Sequence, residues 1–426
     1  MLLAPERIFK ADAIAFEILR RCTGEATFDA LVDDLARTFD APRERIHADV
    51  TKLLASLAEK SCWSCNVAQA RNRTKPLGLL AELTHRCPLG CPYCSNPLTL
   101  ERREDELDTA TWARVCLEAA ELGVLQVHLS GGEPGSRRDL VEIAASARGA
   151  GLYTNLITSG VGITARTMRD LWEAGLDHVQ LSIQDLDAVS ADHIAGYKGA
   201  FQRKHALATE AVRLGLMLTI NFVVHRANVD RIIEMVDLAL ALKASRIEIA
   251  HVQYYGWALK NRSALMPTRE QVDRAVTSVE DLRRKHQGRI VIDAVLPDYH
   301  ARFPKPCVGG WGRRSLNVTP SGKVLPCHAA ESIPDLEFWN VRDRSLADIW
   351  ASSPAFNAFR GTAYLPEPCA SCERREIDFG GCRCQAFLLT GDGRASQTRC
   401  VICHPTMIWL AKAAEIHTDA PYHYRR

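Results

Sequence analysis

The sequence predicts an α/β fold built on a parallel sheet, open or barrel-shaped, preceded by a small helical module and followed by a loop-rich region. Three observations carry this. Apolar runs of strand length recur at 77–83, 124–130, 152–158, 178–184, 216–224, 246–252 and 289–295. Segments with helical spacing lie between them, among them 112–122, 140–147 and 229–242. Cysteine is absent between Cys116 and Cys307 and crowds both sides of that gap. A strand and a helix roughly every 25–40 residues is the βαβ rhythm of a parallel sheet. Active sites of barrel-shaped sheets form at the C-terminal ends of the strands.

The flanks read differently. In residues 1–62, Asp12 can cap a helix carrying Ile14, Ile18, Leu19 and Cys22. Thr27 opens a second helix with Leu31 and Leu35, and Pro42 a third with Ile46, Val50, Leu53 and Leu57. Three short helices bury little apolar area and need added strands or a neighbour. Residues 63–76 are mostly polar, end in Pro76 and read as a linker. The sheet occupies 77–300. After that, 316–327 looks like a hairpin turning at Pro320-Ser321-Gly322. The remainder of 301–426 has so few periodic elements that metal is expected to hold its shape.

The 426-residue chain is 47% hydrophobic and 24% charged, with a net charge of +2. No broad field points to nucleic acid or anionic lipid, and no apolar run of about 18 residues suggests a membrane span. The N-terminus lacks the basic region and apolar core of a signal peptide, so a cytoplasmic location is expected. Fifteen cysteines, an odd number at tight local spacings, argue for metal ligation over disulfides.

The sharpest motif is Cys87-Pro-Leu-Gly-Cys91-Pro-Tyr-Cys94, directly after the first strand. Three thiolates on a four-iron cubane leave one iron open, and an open metal position is a reactive one. The alternative is a structural zinc loop completed by His85 or a distant residue. Ser130-Gly131-Gly132-Glu133-Pro134 ends the second strand. Later strand ends offer Asn155, Ser159, Ser182, Gln184, Asn221 and His225. Cys22 and Cys116 read as buried small hydrophobes. Cys62, Cys65 and Cys403 are given no role.

The three-cysteine loop with the GGEP turn resembles the radical S-adenosylmethionine (SAM) superfamily. The cysteines from Cys307 onward resemble its C-terminal SPASM iron–sulfur module, with Asp378 standing where that pattern has its third cysteine. Stretches 193–204, 218–228, 248–268 and 306–330 resemble the PqqE family of peptide cross-linking enzymes within that group. Residues 1–62 resemble the C-terminal part of PqqD, with the leading strands of that module counted as missing.

The resemblance implies a partial (β/α)6 barrel with a SPASM domain and a winged-helix-like N-terminal module. It implies a [4Fe-4S] cluster on Cys87, Cys91 and Cys94, with SAM on its open iron met by Gly131, Gly132, Glu133, Asn155, Ser182 and Gln184. Two auxiliary clusters follow, [4Fe-4S] or [2Fe-2S]: one on Cys307, Cys327, Cys382 and Cys384, the other on Cys369, Cys372, Asp378 and Cys400. His251, Tyr254, Tyr255 and Trp257 would wall the substrate pocket. The reaction would join glutamate and tyrosine side chains of the precursor peptide PqqA by a carbon–carbon bond. PqqD, free or fused in cis, and a one-electron donor such as flavodoxin would be partners. Another SPASM peptide modifier, or a metal-stabilised scaffold without catalysis, is the alternative.

Overall fold

The computed structural model describes residues 2–4, 7–9, 17–18, 21, 27–59, 75–296, 303–395 and 421–425. The chain divides into two compact units, Met1–Thr74 and Lys75–Arg426.

In the first unit, β1 (Leu2–Ala4) and β2 (Arg7–Phe9) form an antiparallel hairpin. The stretch where the leading strands of that module were expected to be absent thus holds two short strands. Strands of three residues are too short for alternation to reveal. Helix α1 (Phe28–Phe39) starts where expected, with the Thr27 hydroxyl accepting from the Ala30 amide at 3.2 Å. Helix α2 (Arg43–Glu59) follows Pro42. Leu31, Val32, Leu35, Ile46 and Val50 are buried together with Ile18. Asp12, Ile14, Leu19 and Cys22 of the expected first helix lie outside the described residues, as do Cys62, Cys65 and most of the linker.

The second unit is a nine-stranded sheet in the order β11-β10-β3-β4-β5-β6-β7-β8-β9. Its strands are β3 (Gly78–Thr84), β4 (Gln126–Gly131), β5 (Tyr153–Thr158), β6 (His178–Ile183), β7 (Met217–Val224), β8 (Arg246–His251) and β9 (Val291–Val295). Each pairs in parallel with the next. Every one of the seven apolar runs is one of these strands. Helices α3 (Thr109–Leu122), α4 (Leu140–Gly149), α5 (Ala165–Glu173), α6 (Ala188–Ala195), α7 (Ala200–Arg213), α8 (Ile232–Ala241) and α9 (Arg269–Lys285) connect them. Asp108, Thr164, Asp187 and Thr268 cap four of these helices through their side chains.

The core lies between sheet and helices. Leu79, Ala81, Leu83, Val127, Leu129, Val179, Leu181 and Ile220 are buried against Trp112, Val115, Ile143 and Met168. These positions alternate along the strands, and the other set points into the barrel.

The hairpin predicted at 316–327 exists as β10 (Ser315–Val318) and β11 (Val324–Leu325). It is not confined to a separate C-terminal region, however. β10 pairs in parallel with β3, Ser315 opposite Gly78 and Val318 opposite Ala81. The sheet therefore runs through the boundary expected near residue 300. β3 would otherwise present an unpaired edge, and covering that edge is what the hairpin does. A four-residue strand gives no sequence signal of which partner it will choose.

Candidate active site

The parallel register sets the interior of the barrel. Ser182 of β6 stands opposite Asn221 of β7, which stands opposite Glu248 of β8. With Glu82 of β3 and Gln180 of β6, these line a cavity of about 430 Å³ that opens toward the strand C-termini. Gln180 donates to Glu248 at 2.8 Å. Above this polar floor sit Cys87, Cys91 and Cys94, all three lining the same cavity.

The cysteine loop leaves β3 and is clipped to the GGEP turn. The Gly132 amide donates to Thr84 O at 2.6 Å and the Glu133 amide to Arg86 O at 2.8 Å. A Cβ on Gly131, at φ +122°, would meet Thr84 O at 2.3 Å, and one on Gly132 would meet Arg86 O at 2.3 Å. The glycines thus allow backbone to lie on backbone, which brings the two loops to one cavity wall.

The structure sorts the sequence-derived site residues. Gly131, Gly132, Ser159, Ser182, Gln184, Asn221, His251 and Tyr255 line the cavity. Glu133 does not. It is fully buried, and its carboxylate accepts from Thr158 Oγ1 at 2.8 and 2.9 Å, Ser159 N at 2.7 Å, Ser159 Oγ at 2.5 Å and Gly135 N at 3.0 Å. Its observed part is to tie the GGEP turn to the end of β5. Asn155 is buried below the cavity beside His128, their side chains 2.9 Å apart. His225 is buried against Tyr93. Tyr254 packs with Val252, Ala258, Leu265 and Met266 and does not itself line the cavity. Trp257 lies beneath the Lys260 ammonium, 5.1 Å from its ring centre, and does not line the cavity either. Adjacent residues on an irregular strand end point in different directions, so motif position alone could not separate Tyr255 from its neighbours.

The donor set fits an iron–sulfur cluster. Three soft thiols from one loop face a polar cavity with room left over. Burial pushes the Cys87 thiol up to about 11 and Cys91 to about 12. Thiols held that high ionise only as a metal takes the proton's place. Lys204 approaches from α7, fully buried, donating to Ser159 O and, at 2.9 Å, to Ser182 O. Burial brings its ammonium down to about 8, while Cys91 and Glu133 favour its charge. Lys204 lies in one of the family-like stretches, but nothing in the spacing marked it as a site residue.

The second set is equally compact. Cys307 contacts Cys327 and Cys382, and Cys384 contacts the same two, so the four thiols form a closed ring. His328 adjoins Cys327, and its Nε2 is hydrogen-bonded to the Tyr255 hydroxyl at the wall of the first cavity. Cys369 and Asp378 are buried, the latter with Oδ1 accepting from Gly380 N at 3.0 Å and Oδ2 from Arg374 at 3.3 Å. Cys400 and Cys403 lie outside the described residues. No disulfide joins described cysteines.

Comparison with known proteins agrees with this geometry. Residues 81–239 match the Radical SAM superfamily, 307–373 an iron–sulfur cluster-binding domain, and 1–62 coenzyme PQQ synthesis protein D. The PqqA peptide cyclase of Methylocella silvestris is 63% identical, over 82% of this chain and 95% of its own length. The chain belongs to the PqqA peptide cyclases. The peptide cyclase of Methylobacterium nodulans is 59% identical over 82% of this chain and 93% of its own. Among solved structures, Streptococcus suis SuiB bound to S-adenosylmethionine superposes with a TM-score of 0.66 at 20% identity, covering 84% of this chain and 82% of that one. That likeness shows that this chain shares its fold with SuiB. No described helix is long and apolar enough to cross a membrane.

Proposed function

We propose that the chain cyclises the precursor peptide PqqA in the biosynthesis of pyrroloquinoline quinone, joining a glutamate and a tyrosine side chain through a carbon–carbon bond. The observation that carries this is the near-full-length identity to named PqqA peptide cyclases, read together with a three-thiol loop that leaves cavity space at the strand C-termini. Cys87, Cys91 and Cys94 would hold a [4Fe-4S] cluster, and Gly131, Gly132, Ser182 and Gln184, which line the same cavity, would meet SAM. The bound cluster and SAM supply the radical chemistry that removes hydrogen from the glutamate.

The chain's own residues do the rest. The Glu133 bonds hold the GGEP turn in place before any ligand arrives, so no binding energy is lost in ordering it. Lys204 sets the backbone carbonyls of Ser159 and Ser182 at the cavity wall. A second cavity of about 920 Å³ shares Ser95, Asn96, Tyr255 and His328 with the first, and offers a peptide a place beside the cysteine loop. The ring of Cys307, Cys327, Cys382 and Cys384 would hold one auxiliary cluster, and Cys369, Cys372, Asp378 and Cys400 the other. The tyrosine ring must lose an electron and a proton after bond formation; a cluster held by Cys307, Cys327, Cys382 and Cys384 would supply an electron acceptor, and the hydrogen-bonded Tyr255 and His328 lie between that thiol ring and the first cavity.

The PqqD-like residues 1–62 would present the peptide in cis, and tethering raises its effective concentration. A cytoplasmic location and a flavodoxin-like electron donor complete the reading. Anaerobic incubation with PqqA, SAM and reductant tests it. Expected are 5′-deoxyadenosine and a peptide lighter by two hydrogens, with fragmentation placing the link between glutamate and tyrosine. A link at another pair of residues would favour a different SPASM peptide modification, and no 5′-deoxyadenosine would leave only a metal-stabilised scaffold.

A further inference from the structure

The cysteine loop is completed by the far end of the chain. Residues 421–425 lie across it. The Arg425 amide donates to Gly90 O at 3.0 Å, between two of the motif cysteines. The His423 amide donates to Asn261 Oδ1 at 2.7 Å. Asn261 Nδ2 in turn donates to His423 O and to Pro92 O, each at 2.9 Å, so one amide side chain clamps tail and loop together. The Tyr424 hydroxyl donates to His193 O at 2.9 Å.

Two glycines make room for this strap. A Cβ on Gly90 would come within 3.1 Å of Arg425 O, and one on Gly196, at φ +63°, within 3.2 Å of the Tyr424 ring. Gly90 is the glycine inside the cysteine motif itself. Its presence is explained by the passing tail.

The strap delivers Arg425 to the site. The side chain lines the cysteine cavity and the residue is 8% exposed. One terminal nitrogen donates to His85 O. Its Nε is buried and meets no nitrogen or oxygen partner among the described residues. The guanidinium faces Cys94 across the same cavity, within hydrogen-bonding reach of its thiol. A buried cation with a spare donor, set among three thiols, is placed for an anionic group.

We propose that Arg425 is a positioning residue for the iron–sulfur cluster of Cys87, Cys91 and Cys94, donating to its thiolate side and raising its reduction potential. The inference rests on the cluster assignment made above. Reduction adds negative charge to the cluster, and a fixed neighbouring cation stabilises the reduced form more than the oxidised one. The backbone strap places the cation, and Asn261 keeps the strap on the loop.

The test is an EPR redox titration of the full chain, anaerobically reconstituted with iron and sulfide, following the signal that changes when SAM is added. Arg425→Gln keeps the backbone clip on Gly90 and removes the charge, and its midpoint should shift to more negative potential at wild-type iron content. Arg425→Lys restores the charge with a single donor head and should recover part of the shift. Asn261→Ala, which loosens the strap without changing the charge, should broaden or lower the same midpoint. Wild-type midpoints in Arg425→Gln and Arg425→Lys would overturn the proposal, as would a loss of iron in which the loaded fraction still titrates as wild type. A wild-type chain lacking any SAM-responsive signal would remove the cluster assignment and this inference with it.

Discussion

Glu133 shows how one residue serves a site without facing it. Four donors converge on its buried carboxylate, and replacement would leave Thr158, Ser159 and Gly135 groups unsatisfied. Glu133→Ala is expected to cost about 3 kcal/mol or more, by the range for breaking a buried hydrogen-bond network, and thermal melts of the reconstituted variant measure it. His178 gives a pH prediction at the same scale. Burial takes its imidazole from 6.5 down to about 3, with the Arg246 charge and His128 adding to the effect. Thr219 bonds its Nε2 at 2.9 Å and the Tyr153 ring packs on its edge. The folded pKa is depressed, so the unfolded chain binds more protons between the two values. Stability from this site is full above about 6.5 and falls as pH drops toward 3, by about 2 kcal/mol at pH 5. His178→Asn should narrow the Tm difference between pH 7 and pH 5, and an unchanged difference would count against the burial account.

At the scale of elements, the contact between the GGEP turn and the cysteine loop decides the geometry of the cavity. Gly132→Ala places a methyl 2.3 Å from Arg86 O and 2.7 Å from His85 O, so one loop must move. Such a displacement near reacting groups costs about 100-fold in rate. The expected outcome is that iron content is kept while 5′-deoxyadenosine formation falls, read by chromatography after anaerobic incubation with SAM. The hairpin of β10 and β11 matters for a different reason. It continues the sheet past β3 and leads into Cys327 at its end, so the ring of four thiols is carried on the sheet that carries the first cysteine loop.

At the scale of the molecule, the chain divides into two compact units. The second contains every residue assigned to cluster or SAM. Removal of residues 1–74 should therefore leave SAM cleavage within a few fold of the full chain while raising the KM for PqqA, by the loss of effective concentration. Steady-state kinetics on the two chains separate these terms, and an equal KM would show that the first unit does not present the peptide.

The strands, the helix opened by Thr27 and the three-cysteine motif were legible in sequence because their signals are local. Seven apolar runs at βαβ spacing became seven parallel strands, and thiols three and four positions apart share one loop whatever surrounds them. Direction and distance were not legible. Position near a strand end did not distinguish Ser182 and Tyr255, which line the cavity, from Asn155 and Tyr254, which do not. The pairing of β10 with β3, the link from Tyr255 to His328, and the arrival of Arg425 beside Cys94 join residues separated by tens to hundreds of positions. By itself the sequence determined which chemistry the chain can hold, since ligand type and local spacing are written in it. Only the tertiary structure decided which side chains surround that chemistry, because burial and long-range packing choose among orientations that local pattern leaves equal.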